Sequence, residues 1–259
     1  MEAGVLAALI AAASSVVVAV LSAALALHTN SKTQREQRTL NDAQITAGKE
    51  LEQMRSEHER LVAAEKLRIE AAAQLDLSRE PILTAARDLW HRLRNIREGY
   101  FLDYAKEDFG SAHRAEMAKL STAFRLARYW GVLEDLYGTT DLLAFERSEA
   151  TKPVTDLVNR IGRTFASDDP ELGGQRLMMW REEQRAIGEL MILTNVTDSA
   201  HRYLNFATFV ERYDETFARW FSSFLDELIE DNAEDSPRLA RLQESLSNLV
   251  ATLETGRTL

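Results

Sequence analysis

The chain has no cysteine, and its 259 residues include only 4 Pro and 11 Gly. Without thiols there is no disulfide, no zinc-thiolate site and no cysteine nucleophile. So few helix breakers, beside abundant Ala, Leu, Glu and Arg, exclude a sheet protein with many tight turns and predict an all-α fold. Lysine is also scarce. It supplies six of the 31 basic residues, and the arginine that supplies the rest favours planar, multidentate anion contacts over plain solubility. A formal net charge of -10 excludes a body that holds nucleic acid by general phosphate attraction, which leaves local basic patches only. Gly-rich phosphate loops, HExxH and serine elbows are all missing, so no enzymatic activity, metal or cofactor is expected.

What is present begins with an uncharged run from Ala3 to Leu27 made of Ala, Val, Leu, one Ile, one Gly and three Ser. At about 1.5 Å per residue it is long enough for a hydrocarbon core of roughly 30 Å, and predicts a transmembrane helix over residues 1–28. Ala24-Leu25-Ala26 also resembles a signal-peptide cleavage site, but no basic segment precedes the run. Lys32, Arg35 and Arg38 follow it against the single Glu36, which places the C-terminal side in the cytoplasm and the N-terminus outside the inner membrane.

Ala3, Ala7, Ala11, Ser15, Ala19 and Ala23 recur every four residues, while Val5, Leu9, Val17, Leu21 and Leu25 form a bulky row two positions away. Small residues at this spacing let helices approach closely in lipid, which predicts a homo-oligomer of three to five chains with the membrane lipid as its other partner. Ser15 and Ser22, seven apart, are the candidate hydroxyls of a pore lining.

Residues 29–80 form a solvated helical stalk, rich in Glu, Gln, Arg and Ala. Leu40, Ala43, Ala47, Leu51, Met54, His58, Val62, Glu65, Ile69 and Ala73 follow spacings of 3, 4, 4. That eleven-residue repeat predicts a right-handed or nearly straight supercoil, in which His58 and Glu65 on the seam need a hydrated lumen. A single helix laid on its own domain is the alternative.

Residues 81–259 read as an antiparallel bundle of five to seven helices and carry 22 basic and 30 acidic residues. Pro81 reads as the first turn of a helix reaching about Lys106. Further helices are predicted over 112–130, 132–145, 153–165, 175–193, 199–230 and 237–255, with Gly, Pro and Asp at the joints. The aromatic row Phe206, Phe209, Tyr213, Phe217, Trp220, Phe221 and Phe224, continued by Leu228, is expected to be core.

Two clusters stand out in this domain. Trp180 to Met191 repeats polar residues on an expected inner face, with Glu182, Arg185 and Glu189 as the polar motif and a buried Arg185–Glu189 pair as its simplest explanation. Arg87, His91 and Arg94 share a helical face beside Trp90, and Arg125 and Arg128 form a second basic pair. Together they are candidates for a phosphate, a nucleotide or an oligonucleotide, or for protein docking; ion pairing with the surplus carboxylates is the alternative. Asp88-x-x-His91 and Asp198-x-x-His201 have metal-ligand spacing, but a di-metal bundle uses Glu, so metal is not expected there.

Trp180 to Met191, Glu80-Pro81, Phe209-Val210-Glu211-Arg212 and Ala218-Arg219-Trp220-Phe221 carry a resemblance over roughly residues 70–255. There the chain resembles a widespread group of uncharacterised bacterial proteins with one N-terminal span and a helical cytoplasmic domain, and this likeness implies no activity. The layout also resembles membrane effectors of anti-phage systems. Two functions are therefore expected as alternatives. One is a self-associating membrane effector, a pore or channel gated by its helical domain in stress or phage defence. The other is a membrane-anchored scaffold or regulatory subunit that recruits a cytoplasmic partner or answers an unidentified signal.

Overall fold

The computed structural model describes residues 2–99, 101, 103, 111–139, 145, 148–193, 202–230 and 233–255, with side chains described from Val18 onward except at 23, 24, 27, 29, 31, 33, 34, 36 and 230. Among the described residues the regular elements are helices and no strand occurs: α1 (Glu2–Glu98), α2 (Ala112–Thr139), α3 (Lys152–Ala166), α4 (Arg181–Met191), α5 (Phe206–Arg212), α6 (Ala218–Glu230) and α7 (Pro237–Thr255). One isolated antiparallel bridge, Ile192 with Tyr203, accompanies them. The chain divides into two units, Met1–Ala64 and Glu65–Leu259.

In the first unit, every described side chain is exposed. The apolar members of the predicted stalk row stand in the open, from Leu40 at 65% to Val62 at 54% exposure. His58 is exposed among them, and Arg55 bonds Glu59 at 3.2 Å one turn on. Among the described residues no helix is long and apolar enough to cross a membrane. Of the small-residue stripe, Ala19 and Ser22 are described and exposed, whereas the side chains of Ala7, Ala11, Ser15 and Ala23 lie outside the described residues.

The second unit is built on the C-terminal part of α1. At its start, Glu65 is not turned inward: Arg68 binds it at 2.7 Å and, by that hydrogen bond, holds its carboxyl below the usual range. From Ala71 and Leu75 onward, Ile82, Leu83, Ala86, Leu89, Leu93 and Ile96 are buried at helical spacing. The predicted helix start at Pro81 is corrected, because α1 runs through it. Proline deprives the Leu77 carbonyl of its donor, but this turn carries a Leu77 that is 77% exposed, so water can replace the missing N–H.

Cross-links fix the neighbours of this segment. Asp88 and Arg92 meet Arg125 and Ser121 of α2, at 2.9 and 3.1 Å. Arg79 and Arg97 meet Leu253 and Gln243 of α7, at 3.1 and 2.8 Å. In both cases the partner numbers fall as those of α1 rise, so α2 and α7 run antiparallel to it. The inner row of α7, Leu239, Leu242, Leu246, Leu249 and Leu253, is fully buried, and each side chain contributes roughly 1.5 to 3 kcal/mol by leaving water.

The predicted break between residues 130 and 132 is absent, and Gly131 lies inside α2. Glycine is needed there for contact and not for a turn: a Cβ at Gly131 would lie 2.8 Å from Met191 Cβ, and one at Gly188 would lie 2.7 Å from the Trp130 carbonyl oxygen. These two glycines let α2 and α4 pack almost backbone to backbone. The helix predicted from residue 175 begins only at Arg181, because Gly173, Gly174 and Leu177 take left-handed φ of 95°, 64° and 51°. Leu177 is held there by its own burial and by the Glu227 carboxylate, which accepts its N–H.

The helix predicted over 199–230 is shorter and interrupted. Asn205 caps α5 by accepting from the Thr208 N–H at 2.9 Å, and a π-helical turn, Tyr213–Phe217, joins α5 to α6. Its extra residue turns Phe217 inward onto Phe209, with ring centroids 4.5 Å apart. Phe221, Phe224 and Leu228 continue the buried row, as the aromatic spacing predicted. At the Ile192–Tyr203 bridge, Asp135 of α2 accepts two hydrogen bonds from Arg202, at 2.8 and 2.9 Å, and one from the Tyr203 hydroxyl at 2.8 Å.

Candidate functional site

A polar cavity among α2, α3 and α4 has a volume of about 160 Å³. Tyr129, Trp130, Leu133, Glu134 and Tyr137 line it from α2, Asn159 and Gly162 from α3, and Arg181, Gln184 and Arg185 from α4. Successive turns of α2 aim the residues near 130, 134 and 137 at one side, while residues 181, 184 and 185 open the first turn of α4.

Gln184 anchors the floor. Its buried side-chain amide donates to the carbonyls of Gly162 at 3.1 Å and Met179 at 2.9 Å, which ties α4 to α3. Gly162 leaves the space that the Arg181 guanidinium occupies: a Cβ built on Gly162 would stand 1.5 Å from Arg181 Nη1. Arg185 Nε sits 3.3 Å from the Glu134 carboxylate. Burial pushes the Glu134 carboxyl above its ordinary value, Arg185 pulls it back, and Glu189 pushes it further up.

Two lining side chains carry polar atoms without a hydrogen-bond partner. The Tyr129 hydroxyl and the Trp130 indole N–H are fully buried and make no bond within the protein. Burial raises the Tyr129 phenol far above its usual range, and its electrostatic neighbours are Tyr137 and Arg181, both of which line the cavity. The Trp130 ring is wedged edge-on to Phe165 at 5.3 Å and stacked on Phe221 at 6.2 Å, so the indole cannot turn to find a partner. An unpaired buried donor costs about 1 to 3 kcal/mol.

The sequence motif in α4 is arranged differently from its simplest reading. A buried Arg185–Glu189 pair is corrected: Arg185 is exposed and reaches across to Glu134, and Glu182 and Glu189 are exposed too. The inner face of this helix is Gln184, Ile187, Gly188 and Met191, and residues 185 and 189 fall about 100° away from it. Only Gln184 is the buried polar residue that the stretch promised.

The predicted basic cluster is divided. Arg87 binds Glu254 at 2.6 Å and Arg94 binds Glu98 at 3.2 Å, so both have carboxylate partners. The His91 ring is exposed and 4.7 Å from that of Trp90. Arg125 and Arg128 line a shallower cavity of about 220 Å³ with Asp88 and Phe124, where Arg125 is bonded to the Asp88 carbonyl. Arg92, which sequence reasoning passed over, is buried against Ser121 and the Phe101 ring, and desolvation followed by the Arg125 charge lowers its pKa to about 10. Among the described residues no three His, Asp or Glu side chains converge as metal ligands, and Asp198 and His201 lie outside them.

Neither the cavity glycine nor the aromatic pair carried a sequence signal of function, because Gly162 and Tyr129-Trp130 sit in ordinary helical contexts. Comparison with protein-family models, with curated proteins and with solved structures finds no match to this chain.

Proposed function

We propose that this chain is a self-associating, single-span effector of the inner membrane whose cytoplasmic helical domain controls a bundle of N-terminal spans, which acts as a pore. The observation that carries the reading is an apolar row left uncovered on α1, Leu40, Leu51, Met54, Val62 and Ile69, all more than half exposed. Isolated exposed apolar residues are ordinary, but a row repeating over some thirty residues of one helix is the mark of a helix that expects neighbours. The uncharged stretch from Ala3 to Leu27 and the basic residues after it supply the anchor and its direction. A role in stress or phage defence rests on likeness of layout to anti-phage effectors.

The cysteine-free sequence gives the test a clean background. A single Met54→Cys chain, oxidised in membranes, is expected to form disulfide-linked dimers, and Ala11→Leu with Ala19→Leu to weaken that yield by about 1 to 2 kcal/mol per contact. Monomer alone after oxidation would remove the oligomer. Planar-bilayer conductance then tests the pore: currents abolished by Ser15→Leu and Ser22→Leu are expected, and a silent wild type leaves the anchor without a channel. The scaffold reading is favoured by one feature, Trp180, which is 59% exposed at the head of α4 where a partner protein could anchor on it.

A further inference from the structure

The cavity between α1 and α2, at the start of α5, gathers positive charge that the protein does not neutralise itself. Arg125 and Arg128 line it with Asp88, Ser121, Phe124 and Phe206. Arg92 stands behind that lining: it is buried, its Nη2 donates to the Ser121 hydroxyl at 3.1 Å, and the Arg125 charge acts on it. On the same helix Arg79, Arg87 and Arg94 each hold a carboxylate, of Asp76, Glu254 and Glu98. Here that pattern fails, although acidic residues outnumber Lys and Arg in the chain by 41 to 31. Among the described residues Arg92 meets only a hydroxyl and the Phe101 ring, and Arg125 meets the Asp88 main-chain carbonyl. Arg128, half-buried on the lining, has neither a hydrogen bond nor an ion pair among them. Like charges held this close disfavour each other, and an anion set against them removes that cost.

Charge, shape and size narrow the anion. Three guanidiniums against the one Asp88 carboxylate leave two net positive charges, the complement of a phosphomonoester, which carries about -1.5 to -2 at neutral pH. A carboxylate or a phosphodiester brings a single negative charge and leaves one guanidinium unmatched. Arg125 and Arg128 are three residues apart and so share a face of α2, from which two planar forks can reach the oxygens of one phosphate. Phe124 and Phe206, edge to face with ring centroids 5.3 Å apart, make the remaining wall apolar, and inorganic phosphate would leave that wall unused. The volume of about 220 Å³ lies above the roughly 150 Å³ that accepts benzene and below the roughly 300 Å³ at which pockets for drug-sized ligands begin. A phosphate with one ring fits that space, and a whole nucleotide does not.

We propose that this cavity binds a small phosphomonoester, with the phosphate on Arg125 and Arg128 and the carbon skeleton against Phe124 and Phe206. Arg92 does not touch the ligand and adds its charge from behind Ser121. Asp88 acts in two senses: its main-chain carbonyl holds the Arg125 fork at 2.9 Å, while its exposed carboxylate opposes the phosphate. The site lies wholly in the helical domain and stands whether or not residues 3–27 enter a bilayer.

Calorimetric titration of the full-length protein in a non-ionic detergent, with phenyl phosphate as the probe, tests the site. Saturable binding of one probe per chain is expected, displaced neither by benzoate nor by the monoanionic diester methyl phenyl phosphate. Arg128→Gln removes an unpaired cation and is expected to raise the phenyl phosphate Kd about tenfold or more, as loss of a charged hydrogen bond does, while leaving the melting temperature of the free protein unchanged. Asp88→Asn keeps the carbonyl that holds Arg125 and is expected to lower the Kd; it carries the test by itself should Arg128→Gln alter the helical circular dichroism. Dioctanoyl phosphatidate, titrated in parallel, identifies the source of the ester. A Kd below that of phenyl phosphate assigns a lipid headgroup and one above it a soluble metabolite, and both uphold the phosphomonoester. Absence of saturable heat from folded wild type would reduce the arginines to solvated surface charge. Displacement by benzoate or the diester would overturn the dianion, equal Kd values for inorganic and phenyl phosphate would remove the apolar wall from the site, and a Kd indifferent to both substitutions would put the ligand elsewhere.

Discussion

Replacing Arg238 by methionine is expected to destabilise the helical domain by about 3 to 5 kcal/mol, one of the two largest effects expected of a single substitution in this chain. Arg238 is completely buried at the start of α7. Its guanidinium donates to the carbonyls of Arg176 at 2.9 Å, Phe165 at 3.2 Å and Ser167 at 2.7 Å, and also to those of Thr164 and Gly174. Thr164 and Phe165 belong to the last turn of α3, whose final carbonyls have no partner within the helix and carry the negative end of its dipole. One side chain thus caps α3 and ties the turn around Gly174 to α7.

Desolvation lowers the Arg238 pKa and Glu227 opposes that shift, but arginine stays charged across the physiological range, so the clamp does not switch with pH. Removing one side of a buried, hydrogen-bonded charge system costs about 3 to 5 kcal/mol, and methionine fills the volume while leaving five acceptors bare. For a domain of this size that is a fall in melting temperature of roughly 10 °C, read by circular dichroism of the helical signal. Arg238→Lys is expected to fall between the two, since an ammonium offers three donors from a single point and cannot span five carbonyls. A melting temperature unchanged by Arg238→Met would mean that the carbonyls find other donors.

The second large effect is expected at Gly188. A Cβ there would meet the Trp130 carbonyl oxygen at 2.7 Å and its carbon at 3.0 Å, besides Glu134 Cγ at 2.7 Å. The first two are backbone atoms of α2 and cannot step aside unless the whole helix moves. Overpacking of this kind costs about 1 to 3 kcal/mol, from which Ala recovers up to about 1 kcal/mol of helix propensity, so Gly188→Ala should lose stability and Gly188→Leu far more. Gly138, near the end of α2, is the control. A Cβ there meets nothing within 4 Å, so Gly138→Ala is expected to stabilise by about 0.4 to 1 kcal/mol. Equal melting temperatures for the two alanine variants would refute the backbone-to-backbone packing of α2 on α4.

These two positions mark where sequence reasoning reaches its limit. The aromatic row of α5 and α6 was legible because burial repeats with the helical period, and the period is written in the residues themselves. The polar stretch after Trp180 was legible as unusual, yet its assignment to a buried Arg185–Glu189 pair failed: Arg185 finds Glu134 on another helix, and the face that is buried begins one residue earlier, at Gln184. Gly131 was read as a break, since a glycine in a helical pattern looks the same in sequence whether it ends the helix or lets a neighbour approach. Pro81 misled for a similar reason, because its cost depends on whether the carbonyl one turn back is open to water.

Local periodicity and composition by themselves determined that the described chain is helical, which face of α6 is buried, and that an apolar row runs along the exposed part of α1. Tertiary structure alone decided that Arg238 is a clamp and that Tyr129, Trp130, Gly162 and Arg181 share a cavity. The partners of Arg238 are main-chain carbonyls 62 to 74 residues away, and a carbonyl is the same in every residue. No pattern of side chains announces which ones will be left unpaired. The cavity likewise depends on what fails to fill the space between three helices, a property of their approach set by Gly131 and Gly188 and of no residue read singly.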